Sequence, residues 1–474
     1  MKNVILFLIL ALARPLAAQQ LTISKPIHLR NDIYYDILGE MGNQTLLFRN
    51  RHSSFEIMAF DEQMRESWTK EVELERRSPE LLEVVADDAK FTIFYHYRER
   101  SHTVLRAEQY NPGANLIDST VVMDYGPIFY TPNFSTVRSE DRSKTLILFV
   151  EKKDLIRAVC FDNNEMAVLW KASLQPEDFN FYQDFRQAIV NNEGNMFLVL
   201  ERNNYRSRRD DHTFEVFYYA GLESELIKTD VKFPEKLTFD SQFTYDHLNK
   251  RLIGAGLYSD KNLGRADGFF YINVNPTAID DYLVAPTPFD STFMMNIMGK
   301  EGDKTKGLPE AEVREVVLRL DGGVLLIGEK ARIFQRNSNG LMRGGMSMPA
   351  GRFATDYYYD EIFAISIHPD GKEHWSTVLH KKQYSQDDQG AFSSFFLMRT
   401  ASSLRFLFND EIKYENTVSE YSLKGTGRFK RKSILSTHNL KLRLRFRDAV
   451  QVGADKVIIP SERRHRLKLV RLKY

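Results

Sequence analysis

Residues 341–353 read LMRGGMSMPAGRF, which sets Met342, Met346 and Met348 beside Arg343 and Arg352 in one short stretch. With Met294, Met295 and Met298, six of the 14 methionines fall within 55 residues. Thioethers at this density have three uses. They bind a soft cuprous ion, they form an adaptable surface for a partner, or they fill gaps beneath a flap. The second and third readings are carried forward, and no metal site is expected. Residues 335–356 lie between two apolar alternating runs, so they read as a long loop, and long loops in compact domains usually carry function or motion.

Tyr357, Tyr358 and Tyr359 follow this stretch directly. Soon after comes HKKQYSQDDQ, residues 380–389, with Lys381, Lys382, Gln383, Asp387 and Asp388. Mixed charge beside tyrosine suits a polar ligand or a peptide. The plainer reading is a solvated loop.

Charge marks a third region. The formal net charge is +1, yet residues 424–474 hold 16 Lys and Arg against three acids, leaving about −12 elsewhere. The runs KLRLRFR and RHRLKLVRL alternate basic and apolar residues. As strands they would present one basic face made of Lys441, Arg443, Arg445, Arg447, Arg466 and Lys468. Such a face steers anionic partners, or it is a solvated outer surface balanced by acidic neighbours.

Other chemistries lack a signature. No G-x-S-x-G elbow, H-E-x-x-H helix or P-loop occurs. The 64 acidic residues show no distinctive pairing, so hydrolysis by two carboxylates is neither supported nor excluded. The 11 histidines are scattered, and the one cysteine, Cys160, sits in the alternating run LIRAVCF. It reads as a small buried hydrophobe rather than a nucleophile.

The first residues, MKNVILFLILALARPLAAQQ, carry a lysine, ten apolar residues and then small residues. That is the pattern of a secretory leader over 1–18, cut after Ala18, and it is too short to span a bilayer as a helix. No cysteine stands at the cut, so no lipid anchor is expected, and no later stretch reads as a membrane span. A periplasmic or secreted protein is expected, without a nucleic-acid partner.

The elements that position these residues repeat. Residues 59–68 read AFDEQMRESW, 160–170 CFDNNEMAVLW and 366–375 SIHPDGKEHW. Each is a strand, a polar turn, and a tryptophan opening another strand: Trp68, Trp170 and Trp375. Their separations, 102 and 205 residues, are near two and four units of about 51. Degraded copies fill the gaps. The last apolar residue before each turn is Phe60, Tyr110, Phe161, Tyr219, Val274, Ile367, Leu423 or Leu472. The steps are 50, 51, 58, 55, 93, 56 and 49 residues. Eight units follow, one of them enlarged over about 284–380. Two further strands precede each anchor, joined by turns such as Glu193-Gly194 and Asp321-Gly322. Helical signal is scarce, the best candidate being 309–313. The last unit lacks a fourth strand, and LTISKPIHLR supplies a spare one that would close a ring and remove its free edges. The expectation is an all-β single domain over 19–474, a β-propeller of four-stranded antiparallel blades closed by the N-terminal strand. Eight blades are expected, with seven as the alternative.

The tryptophan turns resemble those of the quinoprotein-like propellers, with the motif Ala-x-Asp-x-x-Thr-Gly-x-x-x-Trp. Asp162 to Trp170 has the right separation, with Glu165-Met166 in place of Thr-Gly, and Asp61 to Trp68 is one residue short. In the third copy Asp370-Gly371 and Trp375 remain. The resemblance implies eight blades and tryptophans wedged between neighbours. The family's quinone enzymes use an adjacent cysteine pair and a calcium site. A single cysteine and no calcium loop argue against that cofactor here, and none is expected. The same fold also serves non-enzymatic scaffold proteins of the bacterial envelope, and the chain looks like uncharacterised exported bacterial propellers. The reading therefore leans away from an enzyme, toward a scaffold that binds an envelope protein or an anionic ligand. A carbohydrate-binding or carbohydrate-active propeller is the alternative.

Overall fold

A computed structural model describes residues 19–474, apart from 52–53, 75–78, 131, 222–223, 262, 300–306, 339–351, 411, 413–416 and 438. Residues 1–18, expected to be a leader, lie outside the described residues. The strands form eight sheets, each holding at least four antiparallel strands in meander order. All eight anchors lie at the last or next-to-last residue of the third strand of a blade.

Burial explains why that position was legible. A middle strand such as Phe91–Glu99 is buried at seven consecutive residues, so both its faces are covered. An outer strand such as Ala167–Leu174 alternates exposed and covered residues. Middle strands are therefore the more continuously buried, and outer strands read as period-two patterns.

The chain divides into two compact units, Glu73–Gln389 and Met1–Val72 with Gly390–Tyr474. The first holds blades two to six. Their innermost strands are joined by side chains. Thr136 donates to Glu83 at 2.7 Å, linking blades two and three. Gln187 of blade four both donates to and accepts from the Phe243 backbone of blade five, at 2.8 Å each. Asp240 accepts the Val313 amide of blade six at 2.7 Å.

The second unit holds blades one, seven and eight. Gln20–Ile23 pairs with Arg466–Lys473 in the register Gln20↔Lys473 to Ile23↔Val470. The spare first strand thus completes the last blade. Ile27–His28 adds two more pairs to the same strand.

Three expectations are corrected. Residues 309–313 do not form a helix, because Ala311–Leu318 is the innermost strand of blade six. The longest described α-helix is Ser291–Met298, the segment containing MMNIM. Asp290 caps it, accepting the Phe293 amide at 2.6 Å, and it buries Phe293, Met294 and Ile297 between blades five and six. Met294 is therefore core, while Met295 is exposed. Second, the two ends of the supposed loop 335–356 are strands, with Gln335↔Thr355 through Ser338↔Arg352 paired. Third, KLRLRFR is not a strand. Leu442, Leu444 and Phe446 alternate inward, but the segment makes one isolated bridge, Leu444↔Ser461, and runs into a short 3-10 turn at Phe446–Asp448.

Candidate functional site

Blade six carries the most distinctive surface. Its second and third strands, Val324–Ser338 and Arg352–Ile367, run well beyond the other strands of the blade. A β-bulge marks where the blade proper ends: the ladder shifts between Glu329↔Ile362 and Ala331↔Tyr359. Past it, Gln383–Gln386 joins as a third strand against Asp356–Tyr359.

A buried charge cluster anchors this extension. The Lys381 ammonium lies 2.6 Å from Glu329, and both side chains are essentially inaccessible. It also donates to the Tyr359 carbonyl at 2.9 Å and to Gln383 at 3.0 Å. Arg314 donates to the other Glu329 oxygen at 2.8 Å. Burial pulls the Lys381 amine below its usual range, and Glu329 opposes that. Burial and the neighbouring Glu361 raise the Asp360 carboxyl, against Lys330, Lys381 and Lys382. Lys381 and Gln383, expected on an accessible connection, are thus internal. Lys382 is exposed. Asp387 and Asp388 are tied locally: Asp387 accepts the Thr355 amide at 2.8 Å, and Asp388 accepts the Ser385 hydroxyl at 2.7 Å.

Above the cluster the face changes character. Arg332, Tyr358 and Tyr384 pair in a row across the three strands. The Arg332 guanidinium stands 4.4 Å from the Tyr358 ring centroid, and the two tyrosine rings are 5.1 Å apart. In the next row Asp356 accepts from Arg336 at 3.0 Å and from the Tyr384 hydroxyl at 2.8 Å. Phe334, 54% exposed, shares that row, and Ile333, 59% exposed, points to the other face near Tyr357. From Arg332 to Ser338 the strand pairs on one side only. Among the described residues no strand takes its other edge.

Met342, Arg343, Met346 and Met348 lie outside the described residues, and Arg352 opens the third strand. The sequence reading found Tyr357 to Tyr359 but missed Arg332, Phe334 and Tyr384. Arg332 and Phe334 stand just before the stretch 335–356 that was read as loop, and Tyr384 stands inside the connection 380–389, where it was not singled out.

The tryptophans are not equivalent. Trp170 of blade three is buried and donates to the Gly194 carbonyl in the first turn of blade four at 2.9 Å. Gly194 sits at φ +86°, and an added Cβ there would lie 2.7 Å from Leu169. Trp68 donates within its own blade to Gln44 at 3.1 Å, and Trp375 is half-buried. At the junction of blades five and six a tyrosine does the work of Trp170: Tyr271 donates to the Gly322 carbonyl at 2.8 Å. The His368 and His374 rings lie 4.6 Å apart at the third turn, tilted by 32°. Among the described residues no group of three or more metal-ligating side chains occurs.

The basic residues split in the same way. Lys441, Arg447 and Arg466 are exposed. Arg443 covers the Phe392 ring at 3.7 Å, and Lys468 reaches the Leu440 carbonyl at 3.5 Å. Arg445 is held by Asp448 and Glu462, each at 2.5 Å. The face is therefore less positive than the alternating sequence implies.

Cys160 is fully buried, and burial pushes its thiol up to about 12. A maleimide should label no thiol in the folded protein and one per chain after denaturation. Fast labelling of the native protein would show the site to be open.

The strand order defines the class: the chain is an eight-bladed β-propeller. The sequence matches no protein-family model and no curated protein. Solved structures are similar to it at low identity. An uncharacterized protein from Listeria monocytogenes is 12% identical, with a TM-score of 0.38, over 82% of this chain and 92% of that one. The β-propeller domain of the Trilobed protease from Pyrococcus furiosus is 8% identical, with a TM-score of 0.38, over 88% and 98%. Dipeptidyl peptidase 4 of Porphyromonas gingivalis is 11% identical, with a TM-score of 0.45, over 93% of this chain and 59% of that one. None of these likenesses singles out the quinoprotein-like group. Among the described residues no helix is long and apolar enough to cross a membrane.

Proposed function

We propose that this chain is an exported, non-enzymatic propeller of the bacterial envelope that holds a protein partner on the blade-six extension. The observation that carries this reading is the one-sided strand Arg332–Ser338, whose outer backbone edge has no ladder partner among the described residues. An exposed edge is a template for strand addition from another chain. Beside it stand Arg332, Tyr358 and Tyr384, of the types that dominate protein-binding hot spots, and Phe334, of a type enriched in interface cores. The buried cluster beneath ties the base of the extension to the blade through Glu329, Lys381 and Arg314. The leader-like first 18 residues support export.

Crosslinked pull-down from intact cells tests this. The full chain should capture a partner, and an Arg332→Glu/Phe334→Asp variant should capture about tenfold less or lower. Both changes fall on exposed positions, so the variant should keep its melting temperature. Equal capture by the two proteins, or no partner with either, would overturn the reading.

A further inference from the structure

In the unit of blades one, seven and eight, unpaired cations gather at one end of blade eight. The second and third strands of that blade, Lys456–Arg463 and Arg466–Lys473, turn through Arg464 and His465. Arg463 pairs with Arg466 across the turn, and His28 of the N-terminal segment pairs with Arg466 on its other side. Residues directly opposite on neighbouring strands project from one face about 5 Å apart. Arg463, Arg466 and His28 therefore stand in a row, all three exposed.

Other basic residues are tied to the same end. The Leu29 amide donates to the His465 carbonyl at 2.9 Å, which brings Arg30 alongside the turn. Lys25 lies between Ser24, bonded to the Leu469 carbonyl, and Ile27, paired with Leu467. The Lys468 ammonium reaches the carbonyl of Leu440, the neighbour of Lys441. Lys25, Arg30, Lys441, Arg463, Arg464 and Arg466 are exposed, and none of the six makes an ion pair among the described residues. The nearby acids are engaged elsewhere. Asp32 is held by Arg49 at 2.7 Å, and Asp448 and Glu462 by Arg445 at 2.5 Å each, while Asp36 is half-buried. Like charges gathered without counter-charges repel one another, and an anionic surface relieves that repulsion.

Apolar side chains stand out beside these cations. Ile33, 59% exposed, and Tyr34 line the same depression as Arg447 and His465. A sulfated glycan needs the cations alone. An anionic bilayer uses both, because headgroups meet the charges and the interfacial layer takes up the apolar tips. From this arrangement we infer that this end of blade eight docks on an anionic lipid surface, with the arginine row at the headgroup phosphates and Ile33 entering the headgroup layer. The inference does not rest on the partner edge of blade six.

Co-sedimentation of the full chain with lipid vesicles tests it. The chain should bind vesicles of phosphatidylglycerol and phosphatidylcholine in equal parts, fail to bind phosphatidylcholine alone, and let go at high salt. Arg464→Gln/Arg466→Gln should weaken binding about 25-fold, roughly fivefold for each charge removed. Ile33→Ser should weaken it about fivefold and leave retention on heparin unchanged. Lys424→Gln/Arg428→Gln, which removes two equally exposed cations from the turn after the third strand of blade seven, should bind as the native chain does. All these positions are exposed, so melting temperatures should not move. Heparin binding without vesicle binding would assign the face to an anionic glycan and overturn the inference. So would equal sedimentation with phosphatidylcholine alone, or native-like binding by Arg464→Gln/Arg466→Gln.

Discussion

Lys381→Met should destabilise the protein by about 3–5 kcal/mol, because it removes the charge that neutralises Glu329 in a fully buried setting. Breaking one half of a buried ion pair is costly, since the remaining charge keeps its desolvation penalty and loses its partner. Arg314 stays in contact with Glu329 through its other oxygen, which places the loss toward the lower end of that range. The double variant Lys381→Met/Glu329→Leu should recover much of the deficit, since two apolar side chains can replace a buried pair at little net expense. Urea unfolding of the two single variants and the double variant gives the coupling energy directly. Additive losses would mean that the two groups are not coupled, and that the base of the extension is held by packing alone.

Trp170→Ala is the second large effect, about 3–5 kcal/mol. The indole is 3% exposed and packs in one cluster with Leu146 and Cys160 of its own blade and Met196 and Leu198 of the next. It meets Tyr219 edge-on at 5.0 Å. Trp170→Phe keeps most of the packing but leaves the Gly194 carbonyl without its donor, so it should cost about 1–3 kcal/mol. Trp68→Ala and Trp375→Ala should each cost clearly less, because both residues are half-buried. Equal losses at all three positions, measured by denaturant unfolding, would contradict the distinction drawn from burial.

The blade count was legible because the third strand of each blade carries an apolar residue at or next to its end, just before a polar turn. Phe60, Tyr110 and Leu423 could therefore be counted without knowing any contact. Trp170 was legible too, since its aspartate and turn lie in one short segment. Tyr271 was not. It occupies a third strand rather than a fourth, and only its hydroxyl contact with Gly322 reveals that it substitutes for a tryptophan. Lys381 was misread for a different reason. In sequence it stands among Lys382, Gln383 and two aspartates, which is the composition of a solvated loop. Its partner Glu329 lies in an apolar run 52 positions earlier, so nothing local signals the pair. The contact of Tyr35 with Glu462 is the extreme case, because the two belong to strands at opposite ends of the sequence. Arg445 looked like one member of a basic stripe until Asp448 and Glu462 were seen to hold it.

The pairing of Gln20–Ile23 with Arg466–Lys473 also sets a clock. Synthesis proceeds at about 5–20 residues per second, so Thr22 waits roughly 20–90 s before its partner Arg471 exists. Closing a loop of that length has an entropic penalty on the order of 5 kcal/mol, against only four paired residues of gain. The contact therefore forms late, after the neighbouring strands have restricted where each end can go. Contacts so distant in sequence slow folding. Until this one is made, Arg466–Lys473 keeps a bare backbone edge, and its alternating lysines and arginines repel other copies of the chain during the interval in which it would be most prone to stick.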